Sequence, residues 1–345
     1  MKIQVNARNR AHHFETEVDE KILYGGLSKA IDLPYECGSG TCGTCKAKRL
    51  SGDIVDLWPQ APGRKYLKGP DEFLMCQCVA RSDAVIEVPG FVQTMEAGAC
   101  TPDFQGGRIA AVTVLAPDVV HLSIELWEPL EFDAGQFMLI QVPGVEGFRG
   151  WSMVNYQRHC KTLEFVVKKK PGGAVSDWLF GADRAGTEIE IFGPLGSATF
   201  YPSLGKNILC IAGGSGIAGM MSILARAASD GYFTQYDGHV FFGVRSMQNA
   251  FFLDRFTALR ERCGERLHVT IALSESAVPA SAATDFPLLK FETGFVQEVA
   301  GKVMQGRYEN IRAYLAGPTP AVDASIRMLL MARVSTDNIR YDKFS

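Results

Sequence analysis

The placement of five cysteines constrains this chain more than any other feature. Cys37-x4-Cys42-x2-Cys45 gathers three thiols into nine residues beside Gly38, Gly40 and Gly43, and Cys76 and Cys78 follow further along. C-x4-C-x2-C with a distant fourth cysteine is the ligand spacing of a [2Fe–2S] site. Sulfides and thiolates need backbone N–H donors, and a loop delivers them only by wrapping closely, which residues lacking a Cβ permit. A zinc ribbon usually pairs two C-x2-C knuckles, whereas here a C-x4-C precedes a single C-x2-C. The nine cysteines are an odd number, and the opening MKIQVNARNR lacks the apolar stretch of a secretory signal. Metal ligation is therefore favoured over disulfides, and a cytoplasmic location is expected. Spacing alone leaves the fourth ligand open, because Cys76 and Cys78 would face the same side of a strand.

A chain of 345 residues predicts two or three domains. With 47% apolar and 21% charged residues it has ample core, and disorder is excluded. A net charge of −3 argues against sequence-independent nucleic-acid binding. The uncharged run 207–225 contains glycines and serines and reads as strand, turn and helix rather than a membrane span.

Residues 1–92 combine alternating strands, a short helix over 21–31 and the cysteine loop; 93–107 has no periodicity and reads as a linker. Repeated short strands over 108–203 predict an antiparallel barrel. Strands alternating with helices over 204–345 predict a doubly wound parallel sheet. The expected fold class is thus multidomain, α+β followed by α/β.

Three further motifs lie on these modules. Arg149-Gly150-Trp151-Ser152 and Gly172-Gly173-Ala174-Val175-Ser176 sit on the barrel. A guanidinium and a helix N-terminus suit a diphosphate, and an aromatic wall suits a flat ring. Gly214-Ser215-Gly216-Ile217-Ala218-Gly219 satisfies G-x-G-x-x-G between strand and helix, but the next strand ends Gly243-Val244-Arg245 without the ribose-binding acid of the dinucleotide fingerprint.

PYECGSGTCGTC at 34–45 and FLMCQC at 73–78 resemble the ferredoxin domain of multicomponent oxygenase reductases. That resemblance makes Cys37, Cys42, Cys45 and Cys76 the ligands and leaves Cys78 as a packing or neighbouring thiol. The barrel motifs resemble the two flavin signatures of the ferredoxin–NADP reductase-like family, which implies FAD. By that resemblance Arg149 meets the flavin phosphates, Trp151 covers the ring, and Ser152 reaches toward N5. Gly150 belongs to the same signature. Val166, Val167 and Lys168 line the ring edge and ribityl chain, and Gly172 to Ser176 hold the pyrophosphate at a helix start. AGGSGIAG, FFGVR, LAGPTP and the terminal YDKF resemble the family's nucleotide domain. They implicate Gly214, Ser215, Gly216, Arg245, Ala316, Gly317 and Pro318 in coenzyme binding, with Ser152, Ala316 and Phe344 near the hydride path.

Three positions depart from the family pattern: Trp151 for tyrosine, Gly219 for proline and Ala316 for cysteine. Arg245 points to NADPH, yet G-x-R is common in NADH-using relatives, so NADH is the expected coenzyme. The resemblance implies hydride transfer to flavin, then single electrons to the cluster and on to an oxygenase component or a Rieske-type or other ferredoxin. The organic substrate would be aromatic or hydrocarbon, and the protein a monomer. The cofactors carry this chemistry, and no side-chain acid–base catalyst is expected. Two other readings are a reductase for a non-oxygenase acceptor, of the deoxysugar dehydratase type, and an electron carrier with an inactive nucleotide domain. A mobile linker at 93–107 would let the ferredoxin domain alternate between poses.

Overall fold

A computed structural model describes residues 1–96 and 98–344, the side chain of Phe344 excepted. The chain divides into two compact units. One comprises Met1–Gly107, Phe137–Gly150 and Glu188–Leu195; the other Arg108–Gln136, Trp151–Thr187 and Gly196–Ser345.

The first unit is built on a five-stranded sheet in the order Ala11–Glu15, Lys2–Asn6, Ala84–Glu87, Lys46–Ser51, Glu72–Leu74. Alternation explains the first hairpin: Ile3 and Val5 are buried and pair with Phe14 and His12, while Gln4 between them is not. The helix is shorter than the sequence predicts. It spans Ile22–Ser28, because Ala30 adopts a left-handed φ of 58° and turns the chain. The segment 93–107 is also less irregular than expected. Gln93–Thr94 pairs with Ile31–Asp32, and a long strand, Asp103–Ala116, begins within it. A two-residue strand is held by backbone bonds and leaves no side-chain period to read. The antiparallel pair Phe137–Gln141 and Glu188–Leu195 belongs to this unit, and Phe137, Leu139, Phe192 and Leu195 join its apolar core.

The second unit holds a fully parallel sheet in the order Lys290–Thr293, Leu267–Leu273, Gly238–Val244, Asn207–Gly213, Ile311–Pro318, Ile339–Phe344. Both faces are covered, as near-continuous apolar strands require. Cys210, Ala212 and Phe242 pack with helices Ile217–Ser229 and Leu253–Cys263. Leu209, Ile211 and Phe241 pack with Val296–Val303 and Thr319–Met331 on the other side. Lys290–Thr293 is a strand absent from the sequence reading. Val119–Leu130 pairs antiparallel with Cys160–Lys168 in the same unit, and Met153 bridges to Phe165.

His239 and His268 are paired across neighbouring parallel strands, their rings stacked 4.8 Å apart. Burial pushes His239 down to about 4, with His268 opposing its charge, and burial lowers His268 as well. The unfolded chain therefore binds more protons below pH about 6.5, so stability is full above that pH and is lost as pH falls toward 4. His239 alone costs about 2 kcal/mol at pH 5. Unfolding free energies from urea titrations at pH 7.5 and 5.0 are expected to converge for His239→Val by that amount; an unchanged pH slope contradicts the assignment.

Candidate electron-transfer and coenzyme sites

The cysteine loop is shaped around its sulfurs. Cys37 Sγ accepts from the N–H groups of Ser39 and Cys42, each at 3.4 Å. Cys42 Sγ accepts from those of Cys37 at 3.5 Å and Thr44 at 3.4 Å. Gln77 adds a side-chain donor, its Nε2 lying 3.4 Å from Cys76 Sγ. Gly40 and Gly43 adopt φ of 84° and 78°, and a Cβ there would lie 2.8 Å from Gln77 Nε2 and 2.6 Å from Tyr66 Cδ2. Both backbone conformation and space therefore exclude larger residues.

The four thiols come as two couples. Cys45 Sγ lies 3.1 Å from Cys76 Sγ, and Cys37 is hydrogen-bonded to Cys42. The bond from Cys42 pulls Cys37 down to about 4 and holds Cys42 up; the bond from Cys45 likewise lowers Cys76 and raises Cys45. Among the described residues no three His, Cys, Asp or Glu side chains converge as a single zinc ion would need. Two couples of thiols fit a binuclear centre that takes two protein ligands at each iron. Cys78 stands on strand Cys78–Ala80 opposite Asp56, and burial pushes its thiol up to about 12. Sequence reasoning missed Tyr24. Its hydroxyl donates to the Gly38 carbonyl at 2.9 Å, and its ring stacks on Phe192 at 4.5 Å, bracing the loop within the first unit.

The barrel residues named from the sequence fall in both units. In the first, Arg149 Nη1 donates to the Phe148 carbonyl at 2.9 Å, and its guanidinium stands 5.6 Å from the Trp58 ring centroid. Burial lowers its pKa. Gly150 beside it is exposed. In the second, Trp151 is half-buried, 6.4 Å from Phe165, and Ser152, Val166 and Val167 are buried. Helix Ala174–Gly181 begins directly after Gly173, and Gly172 precedes it with a φ of 68°. Ser176 Oγ accepts from Lys170 N–H at 3.1 Å and donates to the Gly173 carbonyl at 2.9 Å. Its hydroxyl thus closes the loop, and an anion would meet the unpaired backbone N–H groups of the first turn, those of Ala174 and Val175 among them.

A cavity of about 440 Å³ opens at the carboxyl ends of the parallel strands. Chain order reverses between Asn207–Gly213 and Ile311–Pro318, the switch point at which open α/β sheets bind nucleotides. Gly214, Ser215, Arg245 and Pro318 line it, joined by Asn249, Phe295, Gln297 and, in the same unit, Asp118 from the turn before strand Val119–Leu130 and Lys168 from strand Cys160–Lys168. Gly216 and Ala316 are buried against each other beneath: a Cβ on Gly216 would lie 2.6 Å from the Ala316 carbonyl. A Cβ on Gly317 would lie 3.2 Å from the Gly213 backbone. Ser222 fastens the helix, accepting from Gly135 N–H at 2.8 Å and donating to the Gly219 carbonyl at 2.9 Å. Gly219 faces Ser152, and an added Cβ would sit 3.4 Å from the serine Cβ. Phe344 ends the last strand; its side chain lies outside the described residues. Asp118, like Tyr24, was not visible in the sequence, because no motif carries it.

Three family models match in succession: a 2Fe-2S iron-sulfur cluster binding domain over residues 5–81, an oxidoreductase FAD-binding domain over 107–200, and an oxidoreductase NAD-binding domain over 210–325. The chain is 34% identical to the ferredoxin–NAD(P)(+) reductase CarAd of Metapseudomonas resinovorans, over 94% of each. It is 31% identical to the ferredoxin–NAD(+) reductase component of the alkene monooxygenase system of Xanthobacter autotrophicus, over 97% of this chain and 99% of that one. A solved ferredoxin reductase in carbazole 1,9a-dioxygenase superposes with a TM-score of 0.82 at 31% identity, covering 100% of this chain and 99% of its own. Thiol loop, barrel and strand-end cavity in one chain define an iron–sulfur flavoprotein oxidoreductase. The chain belongs to the ferredoxin–NAD(P) reductase family, and its cofactors are a [2Fe–2S] cluster, FAD and NAD(H).

Proposed function

We propose that this chain is the reductase component of a multicomponent oxygenase, taking electrons from NADH and delivering them to the oxygenase or to a ferredoxin that serves it. The observation that carries the reading is the thiol loop, with its Cys45–Cys76 pair and its N–H donors to sulfur, in the same chain as a switch-point cavity. Relatives similar over nearly the whole length support the acceptor: besides the two above, a phenol 2-monooxygenase reductase component of a Pseudomonas strain is 29% identical over 100% of this chain and 95% of its own. The substrate oxidised at the oxygenase is then aromatic or hydrocarbon.

When bound, the coenzyme and flavin supply two-electron hydride transfer and the cluster supplies single-electron storage. The chain's own residues bind, orient and tune. Cys37, Cys42, Cys45 and Cys76 ligate the irons, with the loop N–H groups and Gln77 donating to the sulfurs. By the resemblance of their motifs, Arg149 would meet flavin phosphate, the N–H groups of Ala174 and Val175 at the start of helix Ala174–Gly181 would do the same, Trp151 would cover the ring and Ser152 would reach toward its N5. Val166, Val167 and Lys168 flank it. Gly214, Ser215, Arg245 and Pro318 hold the coenzyme above Gly216, Ala316 and Gly317. The functional division is 1–92, 93–107, 108–203 and 204–345, supported by the matched ranges. The protein acts as a cytoplasmic monomer with no nucleic-acid partner. Among the described residues no helix is long and apolar enough to cross a membrane.

An anaerobic titration with NADH, then NADPH, followed by absorbance and low-temperature EPR, tests this. NADH is expected to bleach the flavin and raise a one-electron cluster signal. A cluster reduced by dithionite but by neither nucleotide overturns the reading in favour of a carrier.

A further inference from the structure

We propose that Asp118 selects the coenzyme, by occupying Arg245 with a carboxylate where a 2′-phosphate would otherwise be received. The inference rests on the reading that the strand-end cavity takes NAD(P)H.

Arg245 directly follows strand Gly238–Val244, where the dinucleotide fingerprint places the group that meets the adenosine ribose. An acid there accepts the 2′-hydroxyl and repels a 2′-phosphate; an arginine attracts the phosphate. This chain has the arginine, so the strand alone predicts NADPH. The missing acid is supplied in space. Asp118 precedes strand Val119–Leu130, and its Oδ2 lies 3.1 Å from Arg245 Nη2 and 3.6 Å from Lys168 Nζ. All three side chains line the cavity. One carboxylate thus occupies both cations near the ribose end. A 2′-phosphate would have to displace it and would then sit beside a like charge, a repulsive element of the kind specificity commonly requires. NADH needs no such displacement.

Asp118 is positioned by its backbone as well as by its charge. Its carbonyl accepts from Lys169 N–H at 2.8 Å, so the turn is pinned to the strand that carries Lys168. It acts through Arg245 and is a positioning residue rather than a catalytic one.

The test uses the holoenzyme and ferricyanide as acceptor, with kcat and KM measured separately for NADH and NADPH in the wild type, Asp118→Asn, Asp118→Glu, Arg245→Ala and the Asp118→Asn/Arg245→Ala double variant. Flavin and cluster absorbance establishes that each variant is loaded. Asp118→Asn is expected to lower the NADH-to-NADPH ratio of kcat/KM at least tenfold, chiefly through a lower KM for NADPH. Asp118→Glu is expected to keep the preference, and in the Arg245→Ala background the asparagine is expected to shift the ratio less than it does with Arg245 present, because only the contact to Lys168 and the like charge are then relieved. If Arg245→Ala alters coenzyme KM while Asp118→Asn leaves the ratio unchanged, the role of Asp118 is overturned and the cavity remains the coenzyme site. If neither substitution moves KM for either coenzyme, the reading of the cavity falls, and this proposal with it.

Discussion

Cys76→Ala is expected to abolish the visible and EPR signals of the iron–sulfur cluster, while Cys78→Ala retains them. Both cysteines are fully buried and only two residues apart, so burial does not separate them. Position does. Cys76 Sγ lies 3.1 Å from Cys45 Sγ and accepts from the Gln77 amide, completing the second of two thiol couples. Cys78 has left the loop for a strand paired with Ile54–Asp56, where it stands opposite Asp56. Removing one of four ligands leaves an iron open to water and to loss, whereas truncating Cys78 removes a buried sulfur at a cost of about 1–2 kcal/mol. The measurement separates two half-reactions. NADH-driven ferricyanide reduction, which draws on the flavin, is expected to persist in Cys76→Ala within about threefold, while cytochrome c reduction through the cluster falls by at least 100-fold. Equal loss of cluster signal in both variants would sink the ligand assignment.

The parts of this protein that were legible in its sequence are those where chemistry restricts residue identity at fixed spacing. A binuclear centre demands four thiols and close backbone, and Gly38, Gly40 and Gly43 all adopt the positive φ that the loop needs. The uncharged run after Lys206 became a buried strand and helix, because both faces of a parallel sheet are covered. Features held by backbone alone were not legible. Lys290–Thr293 is a four-residue edge strand whose side chains are exposed or half-buried, so no alternation marks it. Gln93–Thr94 pairs inside what reads as linker. Long-range electrostatics leave no local pattern either: Asp118 and Arg245 are 127 residues apart, and only the fold makes them partners. Ser176 illustrates a subtler limit. Its motif points to phosphate binding, yet its hydroxyl is already engaged with Lys170 and Gly173, and the anion-binding capacity of the loop resides in N–H groups that any residue provides.

Gly216→Val is expected to slow NADH-dependent flavin reduction by at least 100-fold while leaving flavin and cluster reducible by dithionite. Gly216 has an ordinary φ of −60°, so the substitution is not opposed by backbone conformation. It is opposed by space. An added Cβ would meet the Ala316 carbonyl carbon and oxygen at 2.6 Å and Gly317 N at 2.9 Å, and these are backbone atoms that cannot rotate away. Either the start of helix Ile217–Ser229 or the end of strand Ile311–Pro318 must shift. Gly214, Ser215 and Pro318, which line the cavity, move with them. A displacement near 1 Å is enough to cost about 100-fold where reacting groups must be held in register. Gly231→Ala supplies the control: its φ of 66° is strained for alanine, but nothing lies within 4 Å of the new methyl, and it sits past the far end of the same helix. It is expected to lower stability by about 1 kcal/mol and leave NADH kinetics alone. Stopped-flow absorbance at the flavin band distinguishes the two. Wild-type reduction rates in Gly216→Val would mean that the apposition of these two turns does not position the coenzyme.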